Sequence, residues 1–192
     1  MFRNKELKKI SKELNSLGTL RLDQLKIDNT VIVNFGYDED TINTLEHQAL
    51  IDNAMYVNET LREYKKIFFV REDNEELEII EEFNSFKDEK TILVPKNSSN
   101  AFVSPGFSRW LEYNKNDIRN YVITGCSLHT DVLQFALTLK AFFDEWNALS
   151  EVIIPVNSVK STGINNKEKE LIELAAFYLL RNSAITLVAD IK

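Results

Sequence analysis

Cysteine occurs once in this chain, at position 126, and histidine twice, at 47 and 129. One cysteine excludes an intrachain disulfide framework and fits a reducing compartment. The two histidines and Cys126 form no recognisable zinc spacing, so no metal and no cofactor are expected. Basic residues are outnumbered 23 to 30 by acidic ones, a formal charge of −7. That balance argues against nucleic-acid binding, which needs a basic surface. No apolar run approaches the roughly 20 residues that span a bilayer, so no membrane partner is expected. The opening MFRNKELKKISKEL is charged and of helical period, without the apolar stretch of a secretory signal. Low-complexity tracts and internal repeats are missing, and glycine and proline are scarce at five and three. These absences leave an acidic, cytoplasmic, globular protein as the expectation.

What is present is a core. Hydrophobic residues make up 44% of 192. That is enough for a single domain over 1–192, in which 1–28 reads as an N-terminal helical extension. Six short runs rich in valine and isoleucine read as strands: 30–35, 66–71, 91–95, 120–125, 151–156 and 184–189. They are apolar on both faces, as expected of strands covered by helices on both sides. Helical periods fill the intervals at 4–17, 44–65, 73–86, 105–114, 131–147 and 166–182. The fifth of these predicts a stripe of Val132, Phe135, Ala136, Leu139, Phe142, Phe143 and Trp146, and the last a stripe of Leu171, Leu174, Ala175, Tyr178 and Leu179. Alternating strands and helices predict an α/β fold: a three-layer, doubly wound, Rossmann-like domain with a six-stranded, mostly parallel sheet.

Ligands of such sheets bind at the carboxyl ends of the strands. That rule selects Asn34 and Asp38 after the first run, Lys96 after the third, and Gly125 to Asp131 after the fourth. Read alone, each has a plain explanation. Lys96 suits an exposed loop, or an anion site. Asp131 suits a helix N-cap. Cys126 suits a small buried hydrophobe rather than a reactive thiol, and His129 a solvent-facing loop rather than a base. Ser127, His129 and Asp131 spell a possible relay, but alternate residues of one loop rarely converge.

Together these landmarks resemble the isochorismatase-like cysteine hydrolases, in their nicotinamidase-related branch. The resemblance rests on KNSSNAFVSPGFSRWL, TGCSLHTDVLQFALTLKAFFDEWN and VIIPVNSVKS, and covers nearly the whole chain from the first strand onward. It implies an Asp–Lys–Cys trio in which a thiolate attacks an amide carbonyl, an aspartate shuttles the proton and a lysine supports both charges. Here VIVNFGYD puts Asn34 on the aspartate position, Asp38 matches the motif's second aspartate, and Lys96 matches the lysine. Ungapped, TGCSLHTDVLQFALTL puts Asp131 on the nucleophile position. A shift of two residues would put Leu133 there, so neither register supplies a cysteine. Phe35, Phe102, Cys126, Ser127 and His129 are the expected substrate-binding set, with Phe107 as a further candidate lining residue.

An asparagine takes no proton at neutral pH, and a carboxylate beside a lysine forms an ion pair more readily than it attacks an amide. The expectation is therefore a catalytically degenerate hydrolase that binds a small ligand or a partner in the remaining pocket. The alternatives are an active hydrolase of small amides using Asn34, Lys96 and Asp131, or a structural subunit of an oligomer. The resemblance further implies a homo-oligomer, dimer or tetramer.

Overall fold

The computed structural model describes residues 4–38, 42, 44–71 and 78–192. All six predicted strands form: β1 (Thr30–Phe35), β2 (Lys65–Arg71), β3 (Thr91–Lys96), β4 (Asn120–Gly125), β5 (Glu151–Pro155) and β6 (Thr186–Val188). They make one sheet in the order β3-β2-β1-β4-β5-β6, with every pairing parallel. The order reverses between β1 and β4, and at such a switch point a crevice opens beyond the strand ends.

Five α-helices are described: α1 (Asn4–Leu14), α2 (Thr44–Thr60), α3 (Pro105–Asn114), α4 (Leu133–Glu145) and α5 (Asn166–Asn182). Among the described residues no helix is long and apolar enough to cross a membrane. The strands alternate between two cores. Val31, Val33 and Phe35 of β1 join Phe107, Phe135, Leu139 and Phe177 from α3, α4 and α5. On the opposite face, Ile32 meets Val57 of α2 and Leu61 just beyond it, while Phe68 and Val70 meet Leu50, Ile51 and Ala54. Burial on both faces explains why the strand sequences show no polar alternation. The edge strand β3 is the exception, with Ile92 exposed and Pro95 placed where a missing N–H does least harm. At the N-terminus, Ile10 packs into the first core and Leu20 bridges Ile191.

Several helical expectations need correction, beginning with 4–17, which ends at Leu14. Of the predicted helix 73–86, residues 73–77 lie outside the described set. The remainder contributes a 3-10 turn at Glu81–Phe86, whose Phe83 and Phe86 are buried. The helix expected to reach 65 ends at Thr60, after which the N–H groups of Arg62 and Tyr64 bond three residues back, to Glu59 and Leu61, and tighten the chain into β2. On α5 the buried residues are Ala176, Phe177 and Leu180, whereas Leu171 and Leu179 of the predicted stripe stay exposed. This helix carries apolar residues on two faces, and periodicity alone does not say which one meets the sheet. The stripe on α4 buries Val132, Phe135, Ala136, Leu139 and Phe143 as expected, but Trp146 at its end is exposed.

Candidate functional site

At the switch point β1 and β4 approach closely. Gly125 has φ +145°, and a Cβ there would lie 2.4 Å from the Phe35 carbonyl oxygen, so only glycine fits. The next residue, Cys126, donates its N–H to that same carbonyl at 3.0 Å. Everything beyond Gly125 is thereby hung over the end of β1.

Asn34 faces α2 inside a closed neutral network. Its Oδ1 accepts from Thr124 Oγ1 at 2.7 Å and from Asn58 Nδ2 at 2.9 Å, and its Nδ2 donates to Asn58 Oδ1 at 3.2 Å. Asn58 also donates to the Ala54 carbonyl, and the Tyr37 hydroxyl donates to Thr124 at 3.3 Å. Asn34, Asn58 and Thr124 are all fully buried. The amide acts as donor and acceptor at once, which a carboxylate cannot do. Burial pushes the Tyr37 phenol well up, followed in size by the nearby Cys126, so it stays protonated.

Lys96 ends β3, and its ammonium forms an ion pair and hydrogen bond with Asp131 Oδ2. The two residues are only 7% and 8% exposed, so the pair is desolvated. Lys96 is presented by a pinned loop. Asn100 Nδ2 donates to Thr138 Oγ1 on α4 at 3.0 Å, and Ser104 Oγ donates to the Pro95 carbonyl at 2.7 Å. A cavity of about 360 Å³ opens beside Lys96, with Asn97, Ser98, Asn100 and Ser104 in its wall.

Asp131 is not the N-cap that its position before an apolar helix suggested. A π-helical turn at Leu128–Val132 precedes α4, and the residue at its head is Ser127, in left-handed conformation at φ 58°, ψ 45°. Such turns recur at functional sites because they re-aim a side chain. Here the re-aimed carboxylate meets Lys96. Asp38, in the loop after β1, is 6% exposed, and among the described residues both its carboxylate oxygens are buried without a hydrogen-bond partner.

Cys126 is fully buried beside Tyr37 in the α2-side core. Burial first, then the carboxylates of Asp38 and Asp131, push its thiol up to about 12. A thiolate is the form that attacks carbonyls, and this thiol does not supply it at neutral pH. Ser127 Oγ pairs with Thr162 Oγ1 at 3.2 Å and Asp131 with Lys96, while His129 Nδ1 is buried and unpartnered. The Ser–His–Asp relay is not assembled.

Of the expected lining residues, Phe35 is a core residue, stacked on Phe69 at 4.8 Å and edge-on to Phe135 at 5.0 Å. Phe107 is likewise fully buried. Phe102 is half-buried against Phe107 and Phe142, where it anchors the loop after β3. Among the described residues no cluster of three His, Cys, Asp or Glu could hold a metal ion. Nothing in the sequence marks Asn58, because an asparagine within a helix of mixed character reads as surface. Asp38 was noticed through its strand-end position, but nothing in the sequence signals that its carboxylate is left unpaired.

No protein-family model matches the sequence, and no curated protein matches it either. Solved structures do match. An isochorismatase from Pseudomonas putida aligns with TM-score 0.68 at 11% identity, over 85% of this chain and 89% of that one. The pyrazinamidase/nicotinamidase of Streptococcus mutans aligns with TM-score 0.66 at 13% identity, over 83% of this chain and 100% of that one. The MAR1 ribonuclease of Caenorhabditis elegans aligns with TM-score 0.61 at 13% identity, over 85% and 78%. The architecture is thus the isochorismatase-like α/β fold. The three names denote three different activities on one fold, so the fold does not choose among them.

Proposed function

We propose that this chain is a catalytically degenerate, isochorismatase-like protein that binds a small molecule at the carboxyl edge of the sheet. The buried Lys96–Asp131 ion pair carries this reading. In it each charge already satisfies the other, so Asp131 is a counter-ion rather than a nucleophile or a free base. Two further features support it. Asn34 is tied on both sides of its amide, and the one thiol in the neighbourhood is held protonated. A cavity in the size range of small-molecule sites lies on the Lys96 side of the pair, lined by residues between Pro95 and Gly106. Self-association accompanies this reading, supported by the apolar residues Leu171 and Leu179 left exposed on α5. The acidic composition and single cysteine support a cytoplasmic location.

The test is hydrolysis of a small-amide panel, nicotinamide included, at high protein concentration, with Lys96→Ala alongside. The expected result is no product above buffer from either protein. Product formed by the wild type and lost in Lys96→Ala would replace this reading with an active hydrolase of altered chemistry.

A further inference from the structure

The charges at this site do not balance. Lys96 is taken by Asp131, which leaves Asp38 as a second carboxylate, 6% exposed and with neither oxygen bonded. A buried charge persists only with a partner, because water has been removed and nothing has replaced it. Asp38 is also held in place. The N–H of Ile42 donates to its carbonyl at 3.1 Å, and the carbonyl of the preceding Tyr37 accepts from Ile80 N–H at 2.8 Å. The loop that carries Asp38 and the turn that carries Asp131 leave neighbouring strand ends, since Cys126 N–H donates to the Phe35 carbonyl at 3.0 Å and the Tyr37 hydroxyl donates to Thr124 at 3.3 Å.

We infer that the ligand of this site is cationic, an alkylammonium or amidinium whose N–H groups are received by the unpaired carboxylate of Asp38 beside the Lys96–Asp131 pair. This deepens the ligand-binding reading and rests on it. A planar amidinium offers two N–H donors to the two free oxygens of Asp38, a bidentate match that a neutral amide makes only weakly. An inorganic cation fits less well, because the described residues provide no third acidic or imidazole ligand. Lys96 sets the other end of the preference, since it repels a second positive charge and so orients the cation toward Asp38.

Acetamidinium, acetamide and acetate share one shape and differ in charge, which makes them the probes. Thermal unfolding of the full chain is followed with each at millimolar concentration and matched ionic strength, for wild type, Asp38→Asn and Asp38→Ser. The expected result is a saturable rise in Tm with acetamidinium alone, by several degrees, that vanishes in both variants. The two variants should also start from a higher Tm than the wild type, since the surplus charge is gone. An equal acetamidinium shift in folded Asp38→Asn or Asp38→Ser would overturn the inference. So would no shift in the wild type, or a larger Asp38-dependent shift with magnesium or calcium. A shift with acetate that requires Lys96 would also overturn it, while leaving the ligand-binding reading intact. Turnover in the amide panel would do the reverse.

Discussion

Two polar clusters lie within one loop of each other at the carboxyl edge of the sheet, and they are built on opposite plans. The Asn34–Asn58–Thr124–Tyr37 cluster is neutral, and every one of its side-chain polar atoms has a partner. The cluster of Lys96, Asp131 and Asp38 is charged, and one of its carboxylates has none. A closed neutral network adds rigidity and leaves nothing for a ligand to bond. A charged cluster with a free acceptor is costly when empty and gains from an occupant. The difference separates a cluster that is closed from one that keeps an open acceptor. The first position suggested by the resemblance, Asn34, has been absorbed into the scaffold, while the other two form a buried ion pair.

The sharpest way to break the comparison is to remove one charge. Lys96→Ala leaves Asp131 buried beside Asp38 with no cation, and it should cost about 3–5 kcal/mol. Urea unfolding measures this. The double variant Lys96→Met with Asp131→Leu should recover most of that loss, because a paired hydrophobic replacement leaves no orphan charge. A cost below about 1 kcal/mol for Lys96→Ala would mean that the pair behaves as a solvated surface bridge.

Next in size, Asn34→Asp tests the neutral cluster. It takes the donor from Asn58 Oδ1 and puts a carboxylate where Oδ1 already has two donors. The expected loss is about 2–3 kcal/mol at neutral pH by the same unfolding assay, with no gain of amide hydrolysis. A variant as stable as wild type would show that the cluster is not the lock described above.

The last effect is an alkaline one, absent at neutral pH. Cys126 is pushed up to about 12 in the fold, whereas an unfolded thiol titrates near roughly 8.5. Below that lower value both states hold the proton and the thiol adds no pH dependence. Above it the unfolded chain releases the proton first, so stability falls as pH rises toward 12, by up to about 1.4 kcal/mol per pH unit for this one group. Tyr37 and Tyr121, both raised by burial, add to the same slope. Cys126→Ala should flatten it, as read from Tm between pH 8 and 11. An unchanged slope would place the alkaline sensitivity in the tyrosines.

Legibility followed physics residue by residue. The strands TVIVNF and NYVITG were readable because burial on both faces forces continuous apolar runs, and the loops after them were readable as site positions because parallel sheets open at their carboxyl ends. Strand ends and the resemblance single out Lys96 and Asp131 together, and the two meet in the fold. Phe35, expected to line the pocket, is core, since an apolar run on both faces hides which side each residue takes. The face of α5 was hidden for the same reason.

By itself, then, the chain determined its element order, its parallel sheet and its poverty in thiols and imidazoles, because those follow from periodicity and composition. Only the tertiary structure decided that Asn34 would be closed off by Asn58, 24 residues further along the chain. Only it decided that Asp131 would leave its capping role for Lys96, and that Asp38 would be buried without a partner. Hydrogen bonds and ion pairs between distant residues depend on which atoms the fold brings within about 3 Å, and no local pattern records that distance.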